Sequence, residues 1–215
     1  TIKTLPYEGT DTEFLGYIDT YSSSKILAMF KDSNEVKGLK EGDEGILILD
    51  KSPFYAESGG QVGDSGYIKT NDGKFYVQDT IKIKKNVFGH IGVLESGSLK
   101  CNEQVEALID EHRRNDIKRN HSVTHLLHKA LKIVLGDHVE QKGSLVDNLK
   151  TRFDFSHTKP ISNDEIHQIE FIVNNEILTN KVTTTKMMSI DKAKESGALM
   201  LFGEKYDSEV RVLNI

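Results

Sequence analysis

The chain has a single cysteine, Cys101, among 215 residues, so an intrachain disulfide framework is excluded and a reducing cytoplasm is the expected setting. It has no excess of positive charge: the formal net charge is -5 and the pI is near 5.9, so no overall basic field advertises nucleic-acid binding. No apolar run approaches the roughly 20 residues of a membrane-crossing helix, and no membrane partner is expected. A basic-then-apolar leader is also missing, and the first residue is Thr1 rather than Met, which reads as a piece of something longer. What is present is ordinary for a globular chain, with 37% hydrophobic and 28% charged residues. That is enough for one large domain or two modest ones.

Arginine is absent from the first 110 residues, which hold 12 Lys against 18 acidic residues and 13 of the 17 glycines. The remainder is close to neutral. Two differently built units follow, residues 1–111 and residues 112–215. The first reads as β, with strand-length runs at 26–30, 45–50, 67–70, 74–84 and 87–94. Asn71-Asp72-Gly73 between two of them supplies the positive φ of a tight hairpin turn. Such strands build a small barrel or a sandwich, and spacing does not choose between them. The second unit is α+β. Residues 116–135 repeat apolar positions at helical spacing (Val123, Leu127, Ala130, Leu131, Val134), with Gly136 placed to end the helix. Ser162-Asn-Asp-Glu165 is a capping box opening a second helix with the stripe Ile166, Ile169, Val173 and Ile177. A third helix starts at Ser189 and stops by Gly197, and 152–155 and 209–213 alternate like strands.

The sharpest local feature is His121-Ser-Val-Thr-His125 followed by Leu-Leu-His128. On a helix, His121 and His125 fall about 40° apart, with His128 about 20° on the other side of His121. Two imidazoles one turn apart can grip one metal ion; the plainer reading is a solvated face that carries histidines. Ser122 stands where a zinc peptidase of the H-E-x-x-H type needs its glutamate, so peptidase chemistry is disfavoured. Zinc takes three or four protein ligands. Cys101 reads better as a buried structural thiol, and His90, His112, His138, His157 and His167 show no paired ligand spacing.

Residues 52–66 place four glycines in eight positions, a loop whose backbone admits close approach. It matches neither a P-loop nor a dinucleotide fingerprint, and a barrel hairpin is its plainer reading. Lys82-Ile-Lys-Lys85, Arg113-Arg114 and Lys118-Arg119 are short basic clusters that could touch phosphate or simply be solvated.

Taken together, five ordered blocks resemble the alanyl-tRNA synthetase family, specifically its editing domain and the β-barrel before it. They are Pro53-Phe-Tyr-Ala-Glu-Ser-Gly-Gly-Gln61 with Gly63-Asp64, Arg119-Asn-His-Ser-Val-Thr-His-Leu-Leu-His128, Leu135-Gly-Asp-His-Val-Glu-Gln-Lys-Gly-Ser144, Arg152-Phe-Asp-Phe-Ser-His157 and Ala198-Leu-Met-Leu-Phe-Gly-Glu-Lys-Tyr206. The resemblance implies a small antiparallel β-barrel followed by an α+β editing domain with a His-bearing helix. It implies hydrolysis of the ester of wrongly charged Ser-tRNA(Ala) or Gly-tRNA(Ala), with tRNA(Ala) as partner and no protein partner inferred. His121 and His125 would then be two zinc ligands, the others belonging to a C-x-x-x-H motif expected beyond Ile215, so zinc would be weakly held and hydrolysis impaired without it. Thr124 and Gln141 match family positions lining the pocket, although Thr124 could equally be a helix hydroxyl bonding its own backbone. Glu57, Gly59 and Gly60 would form a wall near the tRNA 3′ end. ATP and magnesium would serve only the full-length synthetase. The alternatives are a free-standing deacylase acting in trans and a non-catalytic RNA-binding module.

Overall fold

The computed structural model describes residues 5–182, 184–196, 198 and 208–214. The block Ala198–Tyr206, beyond its first residue, and the helix stop at Gly197 lie outside the described residues. The chain divides into two compact units, residues 1–118 and 119–215, and each is taken by itself.

The first unit contains β1 (Glu13–Phe14), β2 (Tyr21–Lys31), β3 (Asn34–Val36), β4 (Gly38–Lys40), β5 (Glu44–Leu49), β6 (Lys51–Ser52), β7 (Gly66–Lys69), β8 (Gly73–Lys84), β9 (Val87–Lys100) and β10 (Gln104–Ile109). Six of these close a barrel in the order β2, β5, β9, β8, β7, β10 and back to β2, every pairing antiparallel. The β10–β2 ladder, from Gln104 against Lys25 to Leu108 against Tyr21, decides for a barrel and against a sandwich. Its half of β2 is Tyr-Ser-Ser-Ser-Lys, which carries no apolar signal. Ser22 and Ser24 nonetheless point inward and satisfy each other, hydroxyl to hydroxyl, at 2.7 Å.

The barrel interior is filled by large alternate-facing side chains, including Ile26, Met29, Leu47, Leu49, Ile68, Phe75, Leu94 and Leu99. A second cluster packs Leu5 and Tyr7 onto Ala28, Phe30, Ile48 and Val87. The 71–73 hairpin forms as expected, but Gly73 does not use a positive φ. Its role is close approach: a Cβ there would lie 2.4 Å from the Ser98 carbonyl oxygen. Cys101 is half-buried rather than buried; its thiol donates to the Leu27 carbonyl at 3.4 Å.

Helix α1 (Glu111–Leu135) begins in the first unit and runs into the second. It starts earlier than its apolar repeat predicts because Asp110 accepts the Arg113 backbone N–H at 3.0 Å, capping the first turn. The second unit adds β11 (Gln141–Val146), β12 (Thr151–Phe155), α2 (Asn163–Thr179), β13 (Thr184–Ser189), α3 (Ile190–Glu195) and β14 (Glu209–Asn214). β11 pairs with β12 and β13 with β14, both antiparallel. Ala130 and Leu131 of α1, Val139, and Ile169 and Val173 of α2 are buried in one cluster. Ser162 and Glu165 form the expected capping box, whereas Ile166 and Ile177, at either end of the α2 stripe, stay exposed. The molecule is α+β. Among the described residues no helix is long and apolar enough to cross a membrane.

Candidate functional site

His121 and His125 share one face of α1, with ring centroids 5.1 Å apart and planes 28° from parallel. The helical spacing alone sets that stacking. Burial pushes the His121 ring below its ordinary value, and pushes His125 down to about 4, with the charges of His121 and His128 adding to the burial. Both shifts favour the neutral ring, the form in which imidazole ligates a metal ion. His128 does not join the ridge. It is 8% exposed, its ring lies 5.0 Å from that of Phe153, and it holds a hydrogen bond with the Val139 backbone. Its Nε2 is buried without a hydrogen-bond partner among the described residues.

Thr124, between the paired histidines, is 3% exposed. Its hydroxyl donates to the Asn120 carbonyl at 3.0 Å and lies 2.5 Å from the Thr151 hydroxyl, which itself reaches the Leu145 carbonyl at 3.3 Å. Two hydroxyl hydrogens serve three contacts. With its hydrogen spent on the helix backbone, Thr124 offers a ligand an acceptor lone pair and no donor. Asn120 ties the same helix turn to the β11–β12 connection, its amide donating to the Asp147 carbonyl at 2.8 Å. Neither Thr151 nor Asp147 is marked in the sequence, because nothing local links positions 27 apart.

Gln141 opens β11 opposite Phe155, at a register shift between Gln141 and Gly143. Thr151, which Thr124 touches, lies four residues back along β12, roughly 13 Å at strand spacing. Thr124 and Gln141 thus meet opposite ends of one hairpin, a span that suits a ligand longer than a single side chain.

Zinc binding needs three or four protein ligands. Among the described residues no third His, Cys, Asp or Glu converges on His121 and His125. The pair fits half of a tetrahedral set: two imidazoles one turn apart, each pushed by burial toward the neutral form that ligates a metal.

Glu57, Gly59 and Gly60 belong to the first unit. Ser58 and Gln61 exchange backbone hydrogen bonds at 3.2 and 3.0 Å across Gly59 (φ 59) and Gly60 (φ 82). Two consecutive positive φ angles make a tight two-residue turn, and Glu57 beside it is exposed. Gly63 is required for close approach: a Cβ would fall 2.1 Å from the Thr80 carbonyl oxygen.

The Arg113-Arg114 cluster is neither a phosphate contact nor a solvated face. Arg114 Nε donates to both oxygens of Asp64 at 3.0 and 2.9 Å, and Nη2 also pairs with Asp64. Its remaining donors reach the Gly16 and Pro53 carbonyls at 2.7 and 2.9 Å, while Arg113 donates to the Gly63 carbonyl at 2.7 Å. Lys82 donates to the Ser58 hydroxyl at 2.9 Å and Lys84 pairs with Glu8, and both side chains stay exposed. Nor are the other histidines all unpaired: His138 and His157 hydrogen-bond ring to ring, and His90 is sealed in the barrel between Ser52 and the Leu47 carbonyl.

Against known proteins, residues 2–113 match the family described as "tRNA synthetases class II (A)". Over 211 residues, 98% of this chain, it is 55% identical to a protein of Methylobacillus flagellatus called "Alanine--tRNA ligase". Proteins of the same name from Nitrosospira multiformis and Delftia acidovorans are each 53% identical over 213 residues, 99% of the chain. The chain spans about a quarter of the length of these relatives, 24–25%.

Proposed function

The chain belongs to the class II (A) tRNA synthetases, and from its likeness to alanine--tRNA ligases over nearly its whole length we propose that residues 112–215 carry the ester-hydrolysing site of such a ligase, which removes serine or glycine wrongly attached to tRNA(Ala). The observation that carries this reading is the His121–His125 pair, two stacked imidazoles on the turn of α1 that also presents Thr124.

His121 and His125 would hold zinc, with further ligands from chain beyond Ile215. When bound there, zinc supplies either an anchor for the substrate's amino group or polarisation of the attacking water. The chain's own residues account for selectivity. A synthetic pocket shaped for a methyl group cannot strongly exclude a slightly larger or smaller side chain, since such differences are worth only about 1–3 kcal/mol. A second site that hydrogen-bonds a hydroxyl favours the seryl ester over the alanyl ester, which lacks it; this contact accounts for serine and not for glycine. Thr124 would accept a hydrogen bond from the serine hydroxyl, and the Gln141 amide, which can donate and accept, would contact a more distant part of the aminoacyl ester. Glu57, Gly59 and Gly60 would bound the 3′ end of the tRNA, and the whole polypeptide would attach alanine using ATP and magnesium.

The test uses a polypeptide extended beyond Ile215 through the Cys and His that the family resemblance places there. We expect about one zinc per chain by metal analysis and hydrolysis of Ser-tRNA(Ala). His121→Ala or His125→Ala should remove both. Full-rate deacylation after chelation, or with both histidines replaced, refutes the assignment. Zinc bound without any deacylation would favour a non-catalytic RNA-binding module instead.

A further inference from the structure

The segment joining α1 to β11 is fastened to the end of β12 by bonds that lie outside the His121–His125 pair. His138 Nε2 lies 2.9 Å from His157 Nδ1, with the rings stacked at 5.2 Å and 22°. Between them, the Ser156 hydroxyl donates to the His138 carbonyl at 3.2 Å and accepts the Glu140 N–H at 3.1 Å. The Ser156 N–H donates to the Glu140 carbonyl at 3.0 Å. The chain reaches this arrangement through Gly136, whose φ of +115 turns it back at the end of α1. A Cβ at Gly136 would lie 3.0 Å from His138 Nδ1, so the ring is folded over the helix end. Val139, in the middle of the segment, is fully buried in the core of the second unit.

The residue that follows is Gln141. It pairs with Phe155 at the end of the β11–β12 ladder, immediately before the register shift between Gln141 and Gly143, where a bulge bends the strand and re-aims its side chains. What fixes the strand on its entry side is the fastening of 138–140 to 156–157. We infer that His138, Ser156 and His157 are positioning residues that set the direction of the Gln141 side chain. The inference takes its functional meaning from the role proposed for Gln141 above, but the fastening itself does not depend on that role.

The ring-to-ring bond is specific to atoms. One nitrogen donates and the other accepts, and the two involved are the near nitrogen of His157 and the far nitrogen of His138. An asparagine amide reaches about as far as Nδ1, and a glutamine amide about as far as Nε2. H157N and H138Q should therefore keep the fastening, whereas H157Q and H138N should lose it. Side-chain bulk alone would not produce that crossed pattern.

The experiment is NMR on the 215-residue chain, reading the exchange rate of the Ser156 backbone amide and the Gln141 side-chain amide signals. His157→Ala should speed Ser156 exchange about fivefold, the loss of one net hydrogen bond, and should move the Gln141 signals. His157→Asn should restore both, and His157→Gln should not. Unchanged Ser156 exchange and Gln141 signals in His157→Ala overturn the inference, as does identical behaviour of His157→Asn and His157→Gln. Neither readout involves deacylation. The crossed pattern without hydrolysis would sink the proposed function and leave the fastening standing, and zinc-dependent hydrolysis without the pattern would sink this inference alone.

Discussion

Replacing Arg114 tests whether the basic cluster at the start of α1 is a buried structural fork. Its side chain is 11% exposed and that of its partner Asp64 is 2% exposed. Arg114→Met leaves the Asp64 carboxylate with the Tyr55 N–H at 2.8 Å as its remaining named donor, and strips the Gly16 and Pro53 carbonyls of theirs. Breaking one side of a buried pair costs about 3–5 kcal/mol, because the surviving charge stays in the dry interior. With a urea dependence of about 1–3 kcal/mol per molar, the unfolding midpoint should fall by roughly 2 M. Tyrosine fluorescence isolates the barrel: six of the seven tyrosines lie in residues 1–118 and there is no tryptophan. Adding Asp64→Asn to Arg114→Met removes the stranded charge and should recover at least about 1 kcal/mol. A loss below about 1 kcal/mol, as for an exposed pair, would refute the reasoning. So would a double variant whose loss equals the sum of the two single ones.

Two further outcomes can be read with the same fluorescence. Burial holds His90 at about 4, below the ordinary 6.5, so the unfolded chain takes up a proton first as pH falls. The barrel should lose roughly 3 kcal/mol between pH 6.5 and 4, with no further loss from this group below that, and His90→Gln should flatten that slope; an unchanged slope would contradict it. A Cβ at Gly63 would meet the Thr80 carbonyl oxygen at 2.1 Å and the Thr80 nitrogen at 2.7 Å, whereas one at Gly42 (φ +85) would meet nothing within 4 Å. Gly63→Ala should cost about 3 kcal/mol and Gly42→Ala about 1 kcal/mol, and urea midpoints in the reverse order would rule this account out.

Features confined to one turn or one strand were legible in the chain. The His121–His125 stacking follows from four-residue spacing on a helix, and the Ser162–Glu165 box from three. The strands richest in apolar residues were visible for the same reason, since alternation is a local property. The Tyr21–Lys25 half of β2 was hidden because its inward groups are serines that satisfy each other. The start of α1 was displaced because Asp110 caps a first turn with no apolar repeat. Arg113 and Arg114 looked like surface charge because their partners are some 50 residues or more away in the chain.

Sequence by itself determined the α+β composition, the helix that bears the histidines, the hairpin turns and the caps. Each depends on backbone preferences and side-chain periods that act within a few residues. Only the tertiary structure decided that β10 returns to β2 and closes the barrel, that Arg114 is locked onto Asp64, that Thr124 meets Thr151, and that His138 meets His157. These meetings join residues 19 to 87 positions apart. Burial forces such polar groups to find partners, and which partners lie within reach is set by the path of the whole chain.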